Sequence, residues 1–222
     1  MRSLLFVTTC LLIFGNTYSQ TGRQKTTIYK GDIYFYGGVA ISSENRNLSK
    51  INRFPESKIF GYNIATKLGY FIYDNLSTGI GMRITHNNSE NYNGINTTYS
   101  SEYSSESLFL FVKKLLTVNN KFLLSVQTEL IDANVSQKTK NNNEQQNNSN
   151  TSHIKSNVFE IGLRPGVSLF ISKNIAFEAS FGFLSFYSVA TVSNDLNKET
   201  FSSSIDFNFN SENLIFGLAI FL

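Results

Sequence analysis

The feature that most constrains this chain is the stretch from Asn157 to Tyr187, NVFEIGLRPGVSLFISKNIAFEASFGFLSFY, where apolar residues recur at alternate positions on both sides of a short polar break. Before Ser172, Lys173 and Asn174, the odd positions Phe159, Ile161, Leu163, Val167, Leu169 and Ile171 are apolar, and Glu160, Gly162, Arg164, Gly166 and Ser168 lie between them. After the break, Ile175, Phe177, Ala179, Phe181 and Phe183 alternate with Ala176, Glu178, Ser180 and Gly182. Period two on both sides of a tight turn predicts an antiparallel hairpin. Its polar face carries glycines, serines and isolated charges instead of the dense Lys, Glu and Thr of a solvated sheet. A narrow barrel lumen has this character when the bulky apolar residues face outward.

The same alternation recurs along the chain. A first strand starts near Gly31, with Ile33, Phe35, Val39 and Ile41 opposed to Tyr34, Tyr36, Gly38 and Ala40. A second places Tyr62, Ile64, Leu68, Tyr70 and Ile72 outward and Gly61, Asn63, Ala65, Lys67 and Gly69 inward. The third sets Ile80, Met82 and Ile84 against Gly79, Gly81, Arg83 and Thr85. The fourth, near 103–115, is apolar on both faces, so the sides of Lys113 and Lys114 stay open. A fifth has Phe122, Leu124, Val126, Thr128 and Leu130 outward, with Ser125, Gln127 and Glu129 inward. The last ends on Leu214, Phe216, Leu218, Ile220 and Leu222, and alternation within 203–210 allows it to begin earlier.

Patternless segments at 43–57, 87–102, 135–153 and 189–202 read as long loops. The third includes the polar tract KTKNNNEQQNNSN, which lacks the apolar residues to fold alone. Short turns fall at 73–75, at Asn119 and Asn120, and at 172–174. Short and long connections therefore alternate, which predicts an all-β fold: an eight-stranded antiparallel up-and-down transmembrane β-barrel, with turns at one end and loops at the other. Closure also removes exposed sheet edges.

Composition agrees. Charged residues are 16% of the chain, against about 25% in soluble domains, and no apolar run approaches the ~18 residues of a spanning helix. Arg2 followed by the apolar stretch Leu4 to Phe14 and the small residues before Gln20 predicts a cleaved secretory signal peptide over 1–19, with the barrel over 20–222. Cys10, the only cysteine, lies inside that stretch, so the exported chain is expected to hold no thiol and no disulfide. Loss of Arg2 lowers the formal charge of +3 to about +2, too small an excess to point to nucleic acid. Residues 20–30 read as a polar lead.

The alternating run up to Leu222, with Phe221 beside it, resembles the terminal signal by which barrel-assembly machinery recognises its clients. With the eight strands and the TYSQ junction, the chain resembles the OmpA-like outer-membrane β-barrel family, in a bare-barrel form such as Bacteroidota members carry, without a periplasmic peptidoglycan-binding domain. That resemblance implies a Gram-negative outer-membrane location and, as partners, outer-membrane lipid, the assembly machinery and an unidentified protein at the extracellular loops. It implies a non-enzymatic role in envelope integrity, adhesion or partner contact. The alternatives are a narrow, porin-like pore and a secreted, lipocalin-like ligand barrel.

Candidate chemistry is sparse. His86 and His153 lack the His-x-Ser spacing of a nucleophile and base on one strand, so no catalytic residue is expected. Scattered acidic residues and separated histidines predict neither metal nor cofactor. The sequons at Asn96 and Asn134 follow from composition, and Pro165, which cannot donate to a ladder, predicts a local bulge. The inward set holds Lys67, Arg83 and Arg164 against Glu129, Glu160 and Glu178, which predicts a lumen charge network with Glu129 and Arg164 at matching depth.

Overall fold

In the computed structural model, residues 28–47, 56–92, 97–143, 148–181, 183–193, 198–208 and 214–222 are described. The export segment at 1–19 and most of the polar lead lie outside them. Ten strand segments form the wall: β1 (Ile33–Asn47), β2 (Glu56–Tyr73), β3 (Leu76–Tyr92), β4 (Thr97–Thr117), β5 (Phe122–Asn143), β6 (Asn148–Phe170), β7 (Ile175–Ser180), β8 (Phe183–Ser193), β9 (Lys198–Asn208) and β10 (Ile215–Phe221). All pairings are antiparallel, β1 through β6 in sequence order. Both β7 and β8 pair with β6, so they are two halves of a seventh strand, and β10 and β9 are likewise the halves of an eighth. Pairing of β10 with β1 closes the ring. The fold is an eight-stranded antiparallel up-and-down β-barrel.

The break in strand seven is a bulge. Leu163 pairs with Leu184 but Gly166 with Ser180, so the register shifts by one residue across Arg164 and Pro165. The Pro165 carbonyl accepts the Phe181 N–H at 3.1 Å, so its one remaining backbone polar group is used there. The sequence reading of Pro165 holds. Side-chain phase flips across the bulge: Phe177 and Phe181 are exposed at odd positions, Leu184 and Phe186 at even ones. The side chain of Phe183, assigned outward from sequence, is outside the described set. The two halves of strand eight are held on strand seven by the pairs Phe183↔Asn208 and Ser180↔Ile215.

The predicted faces of strands one, two, three and five hold, and strand four resolves with Lys113 buried and Lys114 exposed. The long loops do not hold as drawn. β3 and β4 remain paired out to Tyr92↔Thr98, and β5 and β6 out to Asn143↔Asn148, so most of 87–102 and 135–153 is strand. Much of 43–57 and 189–202 is strand too, to Asn47 and from Glu56, to Ser193 and from Lys198. The reason is that a ladder satisfies backbone groups whatever the side chains are, so loss of apolar alternation marks the end of the apolar outer face and not the end of a strand.

At the end bearing the short turns, here called the base, the lumen is a packed core. Phe221 contacts Tyr34, Phe71 and Phe170 at ring-centroid distances of 5.4, 6.1 and 5.1 Å. Phe111, Leu115 and Leu123 are also buried. Burying each such side chain contributes roughly 1.5–3 kcal/mol. Glycines on the inner wall make room: a Cβ at Gly81 would overlap the Phe109 ring, and one at Gly79 the Leu68 carbonyl. Ile28 stoppers the base from below. Its N–H donates to Asn75 Oδ1 at 3.1 Å, its carbonyl accepts the Asn75 N–H at 2.9 Å, and Asn75 takes the left-handed φ of 59° that the tight turn requires. Ile28, within the segment expected to be a polar lead, thus closes the barrel floor.

Candidate functional site

Above the aromatic floor the inward residues form two polar layers. In the lower, Glu178 on β7 accepts from Lys113 Nζ on β4 at 2.7 Å to each oxygen, from Tyr34 Oη at 2.7 Å and from Ser168 Oγ at 2.9 Å. Lys113 Nζ also donates to Tyr34 Oη at 3.0 Å and lies 4.6 Å from that ring. Sequence reasoning missed Lys113, because Phe109, Phe111 and Leu115 make the inner face of β4 as apolar as its outer face. The pairing Leu110↔Leu130, carrying the clear phase of β5 across to β4, would have placed it.

In the upper layer, Glu129 on β5 is fully buried and accepts Arg83 Nη2 at 2.9 Å, Gln127 Nε2 at 2.6 Å and Arg164 Nε at 3.4 Å. Lys67 Nζ reaches Gln127 Oε1 at 3.1 Å and sits 4.1 Å from the Tyr36 ring. Each carboxylate is therefore held by charged and neutral donors together, as a buried anion demands. Of the six residues singled out, the structure joins Arg83, Glu129 and Arg164 directly and Lys67 through Gln127. Glu178 belongs to the other layer, and half-buried Glu160 lines the cavity above. Between the layers the residual cavity is about 10 Å³, no more than one water needs.

That upper cavity is a vestibule of about 320 Å³. Arg83, Arg164 and Glu160 form its floor, Asn63, Thr85, Asn87, Ser105 and Ser107 much of its wall. Two buried atoms of residues that line it, Arg83 Nε and Asn63 Oδ1, have no hydrogen-bond partner among the described residues.

Both histidines sit in ladders. Half-buried His86 packs against Tyr62 with the rings tilted by 32° and their centroids 5.5 Å apart. His153 Nε2 lies 2.9 Å from Ser136 Oγ on the adjacent strand, a contact that spacing along one strand cannot reveal. Among the described residues no carboxylate bonds the His153 imidazole, so the orienting third group of a nucleophile–base arrangement is missing. No group of three or more His, Cys, Asp or Glu side chains gathers for a metal among the described residues.

No protein-family model matches the chain, and no curated protein matches its sequence. Among solved structures it is similar to a major outer membrane protein from Thermus thermophilus, at 11% identity over 87% of this chain and 100% of that one, with a TM-score of 0.47. It is also similar to Neisserial surface protein A (NspA), at 13% identity over 86% and 97% of the two chains, with a TM-score of 0.41.

Proposed function

We propose that the protein is an integral, non-enzymatic outer-membrane barrel that holds the β3–β4 and β5–β6 hairpins beyond the bilayer for envelope integrity, adhesion or contact with a partner. The outward apolar belt carries this reading. It includes Phe35 and Val39 on β1, Ile80 and Met82 on β3, Leu108 and Leu110 on β4, Ile161 and Leu163 on β6, and Leu218 and Ile220 on β10, all exposed. On β2 the outward face is apolar or aromatic from Phe60 to Tyr70 except at Thr66. Those positions span roughly 33 Å along the strand, or roughly 25 Å of height at a strand tilt of ~40°, the height of a barrel's lipid-facing band. In water such a continuous belt would drive aggregation.

What favours an anchor over a pore is the pair of polar layers stacked on an aromatic floor with almost no space between them. A lipocalin-like reading needs the apolar face inward, where the side chains above the floor are instead charged. The kinship to OmpA-like bare barrels, the cleaved export signal and recognition of the terminal strand by assembly machinery belong to the same proposal. Fractionation tests it: the mature protein is expected in the outer-membrane pellet with heat-modifiable migration on gels. A soluble periplasmic protein would overturn it.

A further inference from the structure

The vestibule differs from the lumen beneath it in the size of the residues that line it. Ala40 and Ser42 on β1, Ser105 and Ser107 on β4, and Ala133 on β5 are all small. A space of about 320 Å³ is left at this level, where the base has Phe rings and the two layers have bonded charges. Those layers, with about 10 Å³ between them, and the aromatic floor close the lumen from below. A ligand therefore enters from the end opposite the short turns.

The chamber wall has two chemically distinct arcs. β2, β3 and β4 contribute amides and hydroxyls: Asn63, Thr85, Asn87, Ser105 and Ser107. β5 and β6 contribute the apolar side chains of Ile131, Ala133, Val135 and Val158. A ligand that fits offers hydrogen-bonding groups along one side and C–H groups along the other, because a polar group set against the apolar arc loses water and gains no partner. The unsatisfied atoms narrow the polar side. Arg83 Nε is a donor and Asn63 Oδ1 an acceptor, both buried and both on lining residues. A hydroxyl serves either one, since it donates and accepts. Charge narrows the choice again. Arg83 and Arg164 share the Glu129 carboxylate at the chamber floor, and Glu160 lines the chamber with them, two groups of each sign. Glu44 and Asp206, also inward by register, give an anion no attraction, and the bonded arginines give a cation none.

We propose that the vestibule binds a single neutral pyranose, with a C–H face of the ring against β5 and β6 and its hydroxyl edge on Asn63, Asn87 and Arg83. At about 320 Å³, close to the lower limit of about 300 Å³ for small-molecule sites, the chamber suits one ring. The site is built entirely inside the wall, so it stands independently of what surrounds the outer belt.

The test is saturation-transfer NMR on full-length mature protein in perdeuterated detergent, irradiated at methyl frequencies. The probes are D-glucose, D-galactose and D-mannose and their methyl glycosides. Saturable transfer to at least one of the three sugars is expected, stronger to the ring protons of one face, because the methyl groups of Ile131, Val135 and Val158 lie on one arc. Sorbitol, which has the hydroxyls without the ring, and cyclohexanol, which has the ring with a single hydroxyl, are expected not to displace the sugar. Glucuronate is expected to bind no better than the neutral sugar. Ala133→Phe fills the chamber and is expected to weaken binding at least about tenfold. Asn63→Ala removes one acceptor and is expected to cost about fivefold, the worth of one hydrogen bond. Both variants are first shown to be folded by heat-modifiable migration. A methyl glycoside that binds as well as the free sugar identifies the end of a glycan as the source; one that binds at least about tenfold less well identifies a free sugar. No saturable transfer to any of the three sugars, equal competition by sorbitol or cyclohexanol, tighter binding of glucuronate, or undiminished binding in both folded variants would each overturn the proposal. Such a failure removes this site alone, because the outer-membrane reading is decided by fractionation.

Discussion

Replacing Glu178 by Gln tests whether the lower layer is an ion pair that the barrel depends on. The substitution keeps shape and two hydrogen-bonding atoms but removes the only carboxylate bonded to Lys113 among the described residues. The Lys113 and Glu178 side chains are 4% and 6% exposed, and the neighbouring cavity of about 10 Å³ leaves little room for solvent to replace the lost charge. What remains beside the ammonium is Tyr34 Oη at 3.0 Å and the Tyr34 ring at 4.6 Å. Breaking a buried pair on one side costs about 3–5 kcal/mol, and with so little room for water the upper half of that range is expected. The assay is equilibrium urea unfolding of the folded protein in lipid vesicles, read by heat-modifiable migration and tyrosine fluorescence. Glu178→Gln should lower the unfolding free energy by several kcal/mol, and Lys113→Met placed in the same chain should recover most of it, because a neutral pair strands no charge. A loss under about 1 kcal/mol, the scale of an exposed pair, or an additive double variant would refute the argument.

In the upper layer, Arg164→Ala should destabilise the protein by several times the effect of Lys140→Ala, an exposed site on the same barrel, measured by thermal unfolding in detergent. Planar bilayers containing the purified protein should show no steady large conductance, since two bonded layers fill the lumen; a persistent open channel would count against this. Ile64→Arg, at mid-height of the belt, should cost about 2–4 kcal/mol in lipid vesicles, whereas an outward residue of a water-soluble barrel would tolerate it. An epitope inserted between Asn143 and Asn148, where the β5–β6 ladder ends, should bind antibody on intact cells; labelling only after lysis would invert the orientation.

How much of this was legible in the sequence depends on what surrounds each face. Where outward apolar residues alternate with a lumen of Gly, Ser and charge, as in Ile80, Met82 and Ile84 against Gly81 and Arg83, the phase is plain from the residues. On β4 it is not, because the base of the lumen is itself apolar and Phe109, Phe111 and Leu115 hide the alternation around Lys113. The upper ends of β3 to β6 were lost for the opposite reason: both faces are polar there, and Ser, Asn and Thr carry no period even while every backbone position is paired. The bulge at Phe181 did leave a trace. In FGFLSF the apolar residues occupy odd positions and then even ones, which marks the change of register that Pro165 accompanies. The Ile28 stopper left none beyond one apolar residue in a polar lead, since its placement depends on Asn75, distant along the chain.

The join between the ends of the chain also sets the order in which the barrel is made and the place where it comes apart. Among the described residues β1 meets β2 from Ile33↔Tyr70 to Asn47↔Glu56 and meets β10 from Tyr34↔Phe221 to Val39↔Phe216. The β1–β2 ladder closes a short loop, while the β1–β10 ladder joins residues near opposite ends of the chain, and long-range closures of this kind are entropically costly and slow. Assembly should therefore proceed as a growing meander whose last event is this zip, made when Phe221 docks into the ring cluster of Tyr34, Phe71 and Phe170. Under denaturant the wall should begin to unroll at this ladder, the one made last.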